Sequence, residues 1–240
     1  MRYDTPESRR RAVARYHGLV SLVDAHHGRV LDELQRQGRF DDALIIYTSD
    51  HGEMLNQFGI WGKGVQYHGA IHVPLIIKLP GQRTPCRHAQ PVSQVDLLPT
   101  ILDARGLPIP AHLPGRSLLP ACRGGDLPAQ DAMTGWEASR EAPANDPAIS
   151  LETRLADAAA WHRGPVAPEH ASVRSVLAPD GWRASFASDG HRELFDLNND
   201  PGERRNLAEH AEHRGRLRDR FARLVAHQRR TGDFLALAAP

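Results

Sequence analysis

A long helix pattern that runs directly into an apolar segment limits the folds open to this chain. Over residues 12–37 the apolar side chains recur at helical spacing, namely Tyr16, Leu19, Val20, Val23, Val30, Leu31 and Leu34. This periodicity predicts an amphipathic helix that packs on another element. The nearly continuous apolar run 43–48 predicts a short strand buried on both faces, as in a parallel sheet. Together they favour an α/β fold.

Further patterns divide the rest of the chain. Residues 73–78 predict a second strand, and residues 95–105 predict a second helix. Turn signals separate the segments 172–177, 182–188 and 192–197, which predicts an antiparallel meander followed by a terminal helix. We therefore expect an α/β domain over residues 1–120 and a variable linker or insertion over residues 121–170. A small α+β subdomain, with an antiparallel sheet and a terminal helix, is expected over residues 171–240.

Composition and charge exclude several classes of protein. The chain has 240 residues, with 30 basic and 29 acidic side chains and a formal net charge of +1. This balance gives no electrostatic preference for nucleic acid or an anionic membrane. No apolar run approaches the roughly 18 residues of a membrane-spanning helix, so no membrane span is expected. The two cysteines, Cys86 and Cys122, cannot form a disulfide scaffold or a multi-cysteine zinc site.

The first segment with chemical potential is 48–53, directly after the predicted strand. Functional groups of open α/β sheets gather at the carboxyl ends of strands. Asp50 offers an anionic oxygen to a divalent cation, and the neighbouring His51 can add a nitrogen ligand. Gly52 lets the backbone turn without a side-chain clash. The alternative reading is an Asx turn with a solvated histidine.

Lys63 lies between two glycines and beside a tryptophan, thirteen residues after Asp50. A lysine in this setting can place a positive charge on an anionic substrate oxygen and stabilise charge as an ester bond breaks. The alternative is a lysine in an exposed hairpin.

Several motifs, in order, resemble the second half of the sulfatase family, which belongs to the alkaline phosphatase superfamily of metal-dependent hydrolases. The matching segments are 21–24 with 28–31, 50–53, 59–64, 73–76, 95–100 with 113–118, and 193–197 with 200–203. The resemblance covers nearly the whole chain except about residues 120–170. It implies a partial alkaline-phosphatase-like sheet with helices, followed by the C-terminal subdomain.

The resemblance also implies roles for individual residues. Asp50 and His51 would be two ligands of a single divalent cation, usually calcium and sometimes magnesium or manganese. Lys63 would bind the sulfate or phosphate group. His68 resembles a histidine of the phosphonate monoester and phosphodiester hydrolase branch, which implies a proton donor or a hydrogen-bond partner of the substrate anion. The alternative for His68 is a polar loop histidine.

The family's nucleophile motif is absent from this sequence. Neither Cys86 nor Cys122 stands in a Cys/Ser-x-Pro-x-Arg motif, in which relatives form formylglycine. The resemblance places that motif and further metal ligands in an amino-terminal half, so we expect this chain to be a carboxyl-terminal part. Alone, it is expected to be catalytically silent. An uncovered apolar face on the first helix would make it prone to self-association.

Three functions follow from these observations. The first is hydrolysis of a sulfate ester by the complete enzyme. The second is a phosphonate monoester or phosphodiester hydrolase, slightly favoured by His68 and His72. The third is a non-catalytic remnant that acts as an interaction module. A small-molecule ester is the expected partner, and the cytoplasm is the favoured compartment, with the periplasm and secretion left open.

The turn 200–203 predicts a helix entry with Glu203 as its cap.

Overall fold

The computed structural model describes residues 5–137 and 171–240. The chain divides into two compact units, one formed by residues 1–49 with 74–85 and the other by residues 50–73 with 86–240. Most of the predicted variable segment, residues 138–170, lies outside the described residues. Within the described part of the chain, no helix combines the length and the apolar character needed to cross a bilayer.

The first unit combines a long helix with a two-stranded sheet. Helix α1 (Pro6–Arg36) begins at Thr5, whose hydroxyl accepts a hydrogen bond from the Ser8 N–H at 3.1 Å. This cap and the proline after it explain why the helix starts six residues before the predicted pattern. Strands β1 (Ile45–Thr48) and β2 (Leu75–Lys78) form the sheet.

The small sheet corrects one expectation. β1 and β2 pair antiparallel, with Tyr47 opposite Ile76, and these two side chains are 39% and 62% exposed. The predicted strands are therefore present, but neither the parallel arrangement nor burial on both faces is found. An apolar run of β-branched residues indicates a strand without fixing the direction of its neighbour.

The second unit begins with short elements that frame the site. They are a 3₁₀ turn (Gln57–Gly59), helix α2 (His68–Ile71), a 3₁₀ turn (Gln94–Asp96), helix α3 (Leu97–Ala104) and helix α4 (Leu119–Cys122). The predicted helix over residues 95–105 is confirmed in α3 and the turn before it.

A four-stranded antiparallel sheet follows. Its strands are β3 (Ala132–Trp136), β4 (Val173–Leu177), β5 (Trp182–Ala187) and β6 (Arg192–Asp196), in the order β3-β4-β5-β6. Helix α5 (Arg214–Thr231) packs on it. The predicted meander and terminal helix are confirmed. β3 was not predicted, because its partner β4 is distant in sequence and its five residues include a glycine.

The sheet is covered on both faces, and the two faces differ in chemistry. The face against α5 is apolar and includes Val176, Ala184, Phe186 and Leu194. The opposite face carries buried polar side chains, namely Ser175, Arg183, Ser185 and Glu193. All six residues of β5 are buried. Because side chains alternate along a strand, the same strand supplies both the apolar core and this polar layer.

A second core joins the loop 50–72 to the polar face of the sheet. It consists of Met54, Ile60, Val65, Tyr67, Ala70 and Phe195, with Phe58, Ile71 and Leu197 packed around it. Since Phe195 belongs to β6, the loop that carries the predicted site residues rests on the C-terminal sheet.

Candidate functional site

The site begins where segment 50–53 passes close to helix α2. The Gly52 N–H donates to the Ala70 carbonyl at 2.7 Å. A Cβ at Gly52 would lie 2.1 Å from the Gly69 carbonyl oxygen, far inside van der Waals contact. The predicted need for glycine at this position is thus explained by the close approach of two backbones.

Glu53 organises the turn that returns the chain to Lys63. Its Oε1 accepts hydrogen bonds from the Gly62 N–H at 2.5 Å and from the Leu55 N–H at 3.1 Å. Within the turn, Leu55, Asn56 and Phe58 have positive φ angles of 47°, 70° and 55°. Such conformations cost about 1 kcal/mol or more for non-glycine residues, so the surrounding core must hold them in place.

Asp50, His51 and Lys63 converge at the surface of this loop. The Lys63 Nζ lies 2.5 Å from the His51 Nε2, and the Asp50 Oδ2 lies 3.3 Å from the same nitrogen. The His51 Nδ1 is 2.9 Å from the Gly52 carbonyl oxygen. Because a carbonyl can only accept, Nδ1 carries the proton and Nε2 presents its lone pair. The structure therefore brings together three of the four predicted site residues.

The donors at Asp50 and His51 suit part of a divalent-cation shell. A carboxylate oxygen and an imidazole lone pair face each other, and the adjacent carbonyl orients the ring as the outer shell of a metal site does. No group of three or more His, Cys, Asp or Glu side chains arranged to hold a metal occurs within residues 5–137 and 171–240. The described residues thus fit two ligand positions, and the role of both residues as ligands stays a prediction.

His68 occupies a separate part of the site at the start of α2. Its ring lies against that of His72, with the centroids 4.2 Å apart and the ring planes tilted by 38°. Burial lowers the pKa of the His68 imidazole, and the nearby His72 and Arg183 lower it further. Besides this ring contact with His72, the His68 backbone N–H donates to Glu203.

Beneath α2 lies a buried charged network that the sequence did not reveal. The Glu203 Oε1 accepts from the Arg183 Nε at 2.6 Å, and its Oε2 accepts from the His68 N–H at 2.7 Å. The Tyr67 hydroxyl donates to the Glu193 carboxylate at 2.9 Å. Burial raises the pKa of the Tyr67 hydroxyl and of the Glu203 carboxyl; Arg183 offsets part of the Glu203 shift.

The expectation that Glu203 caps a helix beginning at its own turn is wrong. Glu203 is 2% exposed and has a φ of 53°, and the next helical turn begins only at Ala211. Its partners lie far away in sequence, at Arg183 and His68. Apolar and polar residues alternate along β5, which is typical of a strand with one solvated face. The sequence therefore did not predict that Arg183 is buried.

Comparison with known proteins shows which proteins the chain is similar to. The family model described as Sulfatase matches residues 2–107. A choline-sulfatase of Rhizobium meliloti (strain 1021) is 30% identical over 208 residues, covering 85% of this chain and 35% of that protein. The arylsulfatase K of Bos taurus is 30% identical over 199 residues, covering 80% of this chain and 32% of the relative. The chain therefore spans about a third of the length of these curated relatives.

A solved structure agrees with the fold described above. The phosphonate monoester hydrolase of Silicibacter pomeroyi superposes with a TM-score of 0.75 at 32% identity, over 96% of this chain and 43% of that one. The fold and the loop site define part of an alkaline-phosphatase-like α/β protein, as expected from the sequence. More narrowly, residues 2–107 match the sulfatase family model, and the curated relatives named above are a choline-sulfatase and an arylsulfatase.

Proposed function

We propose that this chain carries the oxyanion-binding part of a metal-dependent sulfatase, an enzyme that hydrolyses sulfuric esters. One observation carries the proposal: the Lys63 ammonium lies 2.5 Å from the His51 Nε2, which also faces the Asp50 carboxylate. A fixed cation beside potential metal ligands is an arrangement that stabilises charge on a transferred sulfuryl group. The match of residues 2–107 to the sulfatase family model supports the same chemistry.

Each residue has a distinct task in this proposal. Lys63 neutralises an anionic oxygen of the ester group. Asp50 and His51 would hold a divalent cation, with calcium favoured over magnesium or manganese. The bound cation would supply Lewis-acid stabilisation of the ester oxygens. The hydrogen bond between His51 Nδ1 and the Gly52 carbonyl keeps the ring oriented, and Glu53 fixes the turn that delivers Lys63.

Binding of inorganic sulfate tests this assignment directly. In calorimetric titrations of the purified chain with calcium present, we expect sulfate binding that weakens about tenfold or more in Lys63→Ala, because one charge-assisted contact is lost. Arg218→Ala, which removes an exposed cation of α5, is the matched control and should bind like the wild type. Absence of heat from sulfate and calcium in the wild type would contradict the proposal and favour the non-catalytic interaction module.

We further propose that the isolated chain does not turn over substrate. Its 240 residues contain no Cys/Ser-x-Pro-x-Arg motif from which a formylglycine nucleophile could arise. Mixing the chain with an aryl sulfate should therefore release no more phenol than the Lys63→Ala variant does. Turnover clearly above that background would refute this part of the proposal.

A phosphonate monoester or phosphodiester hydrolase is the second candidate. The observation that favours it is the adjacent pair His68 and His72, which offers two imidazole groups, together with the likeness to a phosphonate monoester hydrolase. On this assignment, a phenyl phosphonate monoester binds more tightly than an aryl sulfate, and His68→Ala weakens only the phosphonate. Equal effects of His68→Ala on both ligands would speak against it.

A further inference from the structure

We infer that Glu203 is a positioning residue, which fixes helix α2 and, through α2, the segment that carries Asp50 and His51. The catalytic meaning of this inference rests on the proposed function, whereas the structural coupling is argued from contacts alone. The sequence pattern around Glu203 predicts only a helix entry.

In the first step of the coupling, each carboxylate oxygen of Glu203 accepts a hydrogen bond from a different residue. Oε1 holds the Arg183 guanidinium of β5 at 2.6 Å, and Oε2 holds the His68 N–H at 2.7 Å. The His68 N–H stands at the first turn of α2, where no carbonyl within the helix can reach it. Glu203 therefore ties the start of α2 to the central part of the C-terminal sheet.

The second step leads from α2 to the ring of His51. The Ala70 carbonyl accepts from the Gly52 N–H at 2.7 Å, and the Gly69 carbonyl packs against the Gly52 α-carbon. The Gly52 carbonyl in turn accepts from the His51 Nδ1 at 2.9 Å. Both backbone polar groups of Gly52 are thus engaged, the N–H by α2 and the carbonyl by the imidazole. A displacement of α2 would change the position of the Nε2 that faces Lys63.

The third step explains why a buried charged network lies beneath α2. Arg183 is 1% exposed and lies 3.6 Å from the second carboxylate, Glu193. Its Nη2 has no acceptor within the part of the chain that the structure describes. Buried ion pairs of this kind seldom stabilise a fold more than apolar side chains of equal volume would. A requirement for defined geometry explains the network better than a contribution to stability does.

The test is Glu203→Gln. The amide has one acceptor oxygen where the carboxylate has two, so it can keep only one of the two hydrogen bonds. We expect amide hydrogen exchange in residues 50–53 and 68–72 to become about tenfold faster or more, while β4 and β5 keep their protection. The matched control is Asp233→Asn, which makes the same carboxylate-to-amide change at another ion pair of the same unit. Unchanged exchange in residues 50–53, or equal loss of protection throughout the unit, would overturn the inference.

A second pair of variants keeps the inference testable if Glu203→Gln does not fold. His68→Pro removes the N–H that donates to Glu203, at a helix position where proline is tolerated. His68→Ala removes the imidazole and keeps the N–H. We expect faster exchange at Gly52 in His68→Pro alone. If the two variants behave alike, Glu203 does not act through this hydrogen bond.

Sulfate binding separates this inference from the proposed function. If the wild type binds sulfate, Glu203→Gln should weaken binding about tenfold although it leaves Lys63 in place. If the wild type does not bind sulfate, the proposed function fails, and the exchange pattern still decides whether Glu203 positions the segment. Wild-type affinity in a Glu203→Gln variant with altered exchange would show that the coupling does not reach the site.

Discussion

Main-chain atoms shape the candidate site as much as charged side chains do. The sequence singled out Asp50, His51 and Lys63 as candidate site residues, and the structure places them together because the turn that joins them is local. The role of Glu203 could not be predicted in the same way. Its partners are separated from it by 20 and 135 residues, so only the folded chain reveals the bond to Arg183 and to His68.

Gly52→Ala tests the close approach at α2. Its Cβ would lie 2.1 Å from the Gly69 carbonyl, so the backbones must separate. We expect a loss of unfolding free energy of about 1–3 kcal/mol and weaker sulfate binding. Gly215→Ala, at a helical position with nothing within 4 Å, is the matched control and should be neutral or slightly stabilising. Urea unfolding and calorimetry provide the measurements, and wild-type behaviour of Gly52→Ala would show that the contact relaxes freely.

Short elements proved harder to predict than long ones. The meander of β4, β5 and β6 follows from turn signals and alternation, and α5 follows from its apolar spacing. The four-residue helix α2 and the edge strand β3 have too few residues for a periodic pattern. Both are held by tertiary contacts, α2 by Glu203 and β3 by its pairing with β4.

The end of α5 is attached to β4 by an ion pair whose strength should depend on pH. The Asp233 carboxylate accepts from the Arg174 Nε at 2.7 Å and Nη2 at 3.0 Å, which lowers the pKa of Asp233 from 3.8 to about 2. A lowered carboxyl pKa stabilises the fold above about pH 4, and this contribution disappears as the pH falls towards 2.

Asp233→Asn should therefore destabilise the chain in a pH-dependent manner. Near neutral pH we expect a loss of about 1 kcal/mol in unfolding free energy, since the pair is partly exposed. The difference from the wild type should shrink between pH 4 and pH 2. Urea denaturation at a series of pH values measures it. A difference that does not change with pH would mean that charge plays no part in the pairing.

At the scale of the whole molecule, the first helix presents an exposed apolar surface. α1 has no buried residue, and Leu19, Val20, Leu22, Val23 and Val30 are between 47% and 60% exposed. The sequence predicted this helix and its amphipathic spacing correctly. An uncovered apolar face was also expected, but the extent of exposure at each residue could not be predicted, because burial depends on what packs against the helix.

We predict that this stripe drives self-association. Replacing Leu19 and Val23, one turn apart on the same face, with glutamate should lower the apparent mass in sedimentation velocity to that of a monomer. The control carries glutamate at Ser21 and Ala25, which have the same spacing and are also exposed. A wild type that is monomeric at all concentrations would disprove the prediction, as would equal effects of both double variants.

Because lysine is rare in this sequence, Lys63 can serve as a spectroscopic reporter of the site. The sequence contains only two lysines, Lys63 and Lys78. The Lys78 ammonium donates to the carbonyls of Phe40, Asp41, Ala43 and Leu79, whereas Lys63 is exposed beside His51. Reductive methylation with isotope-labelled formaldehyde would therefore place an NMR-visible dimethylamine within the loop itself. Its chemical shift would report occupancy of the site without any engineered tag.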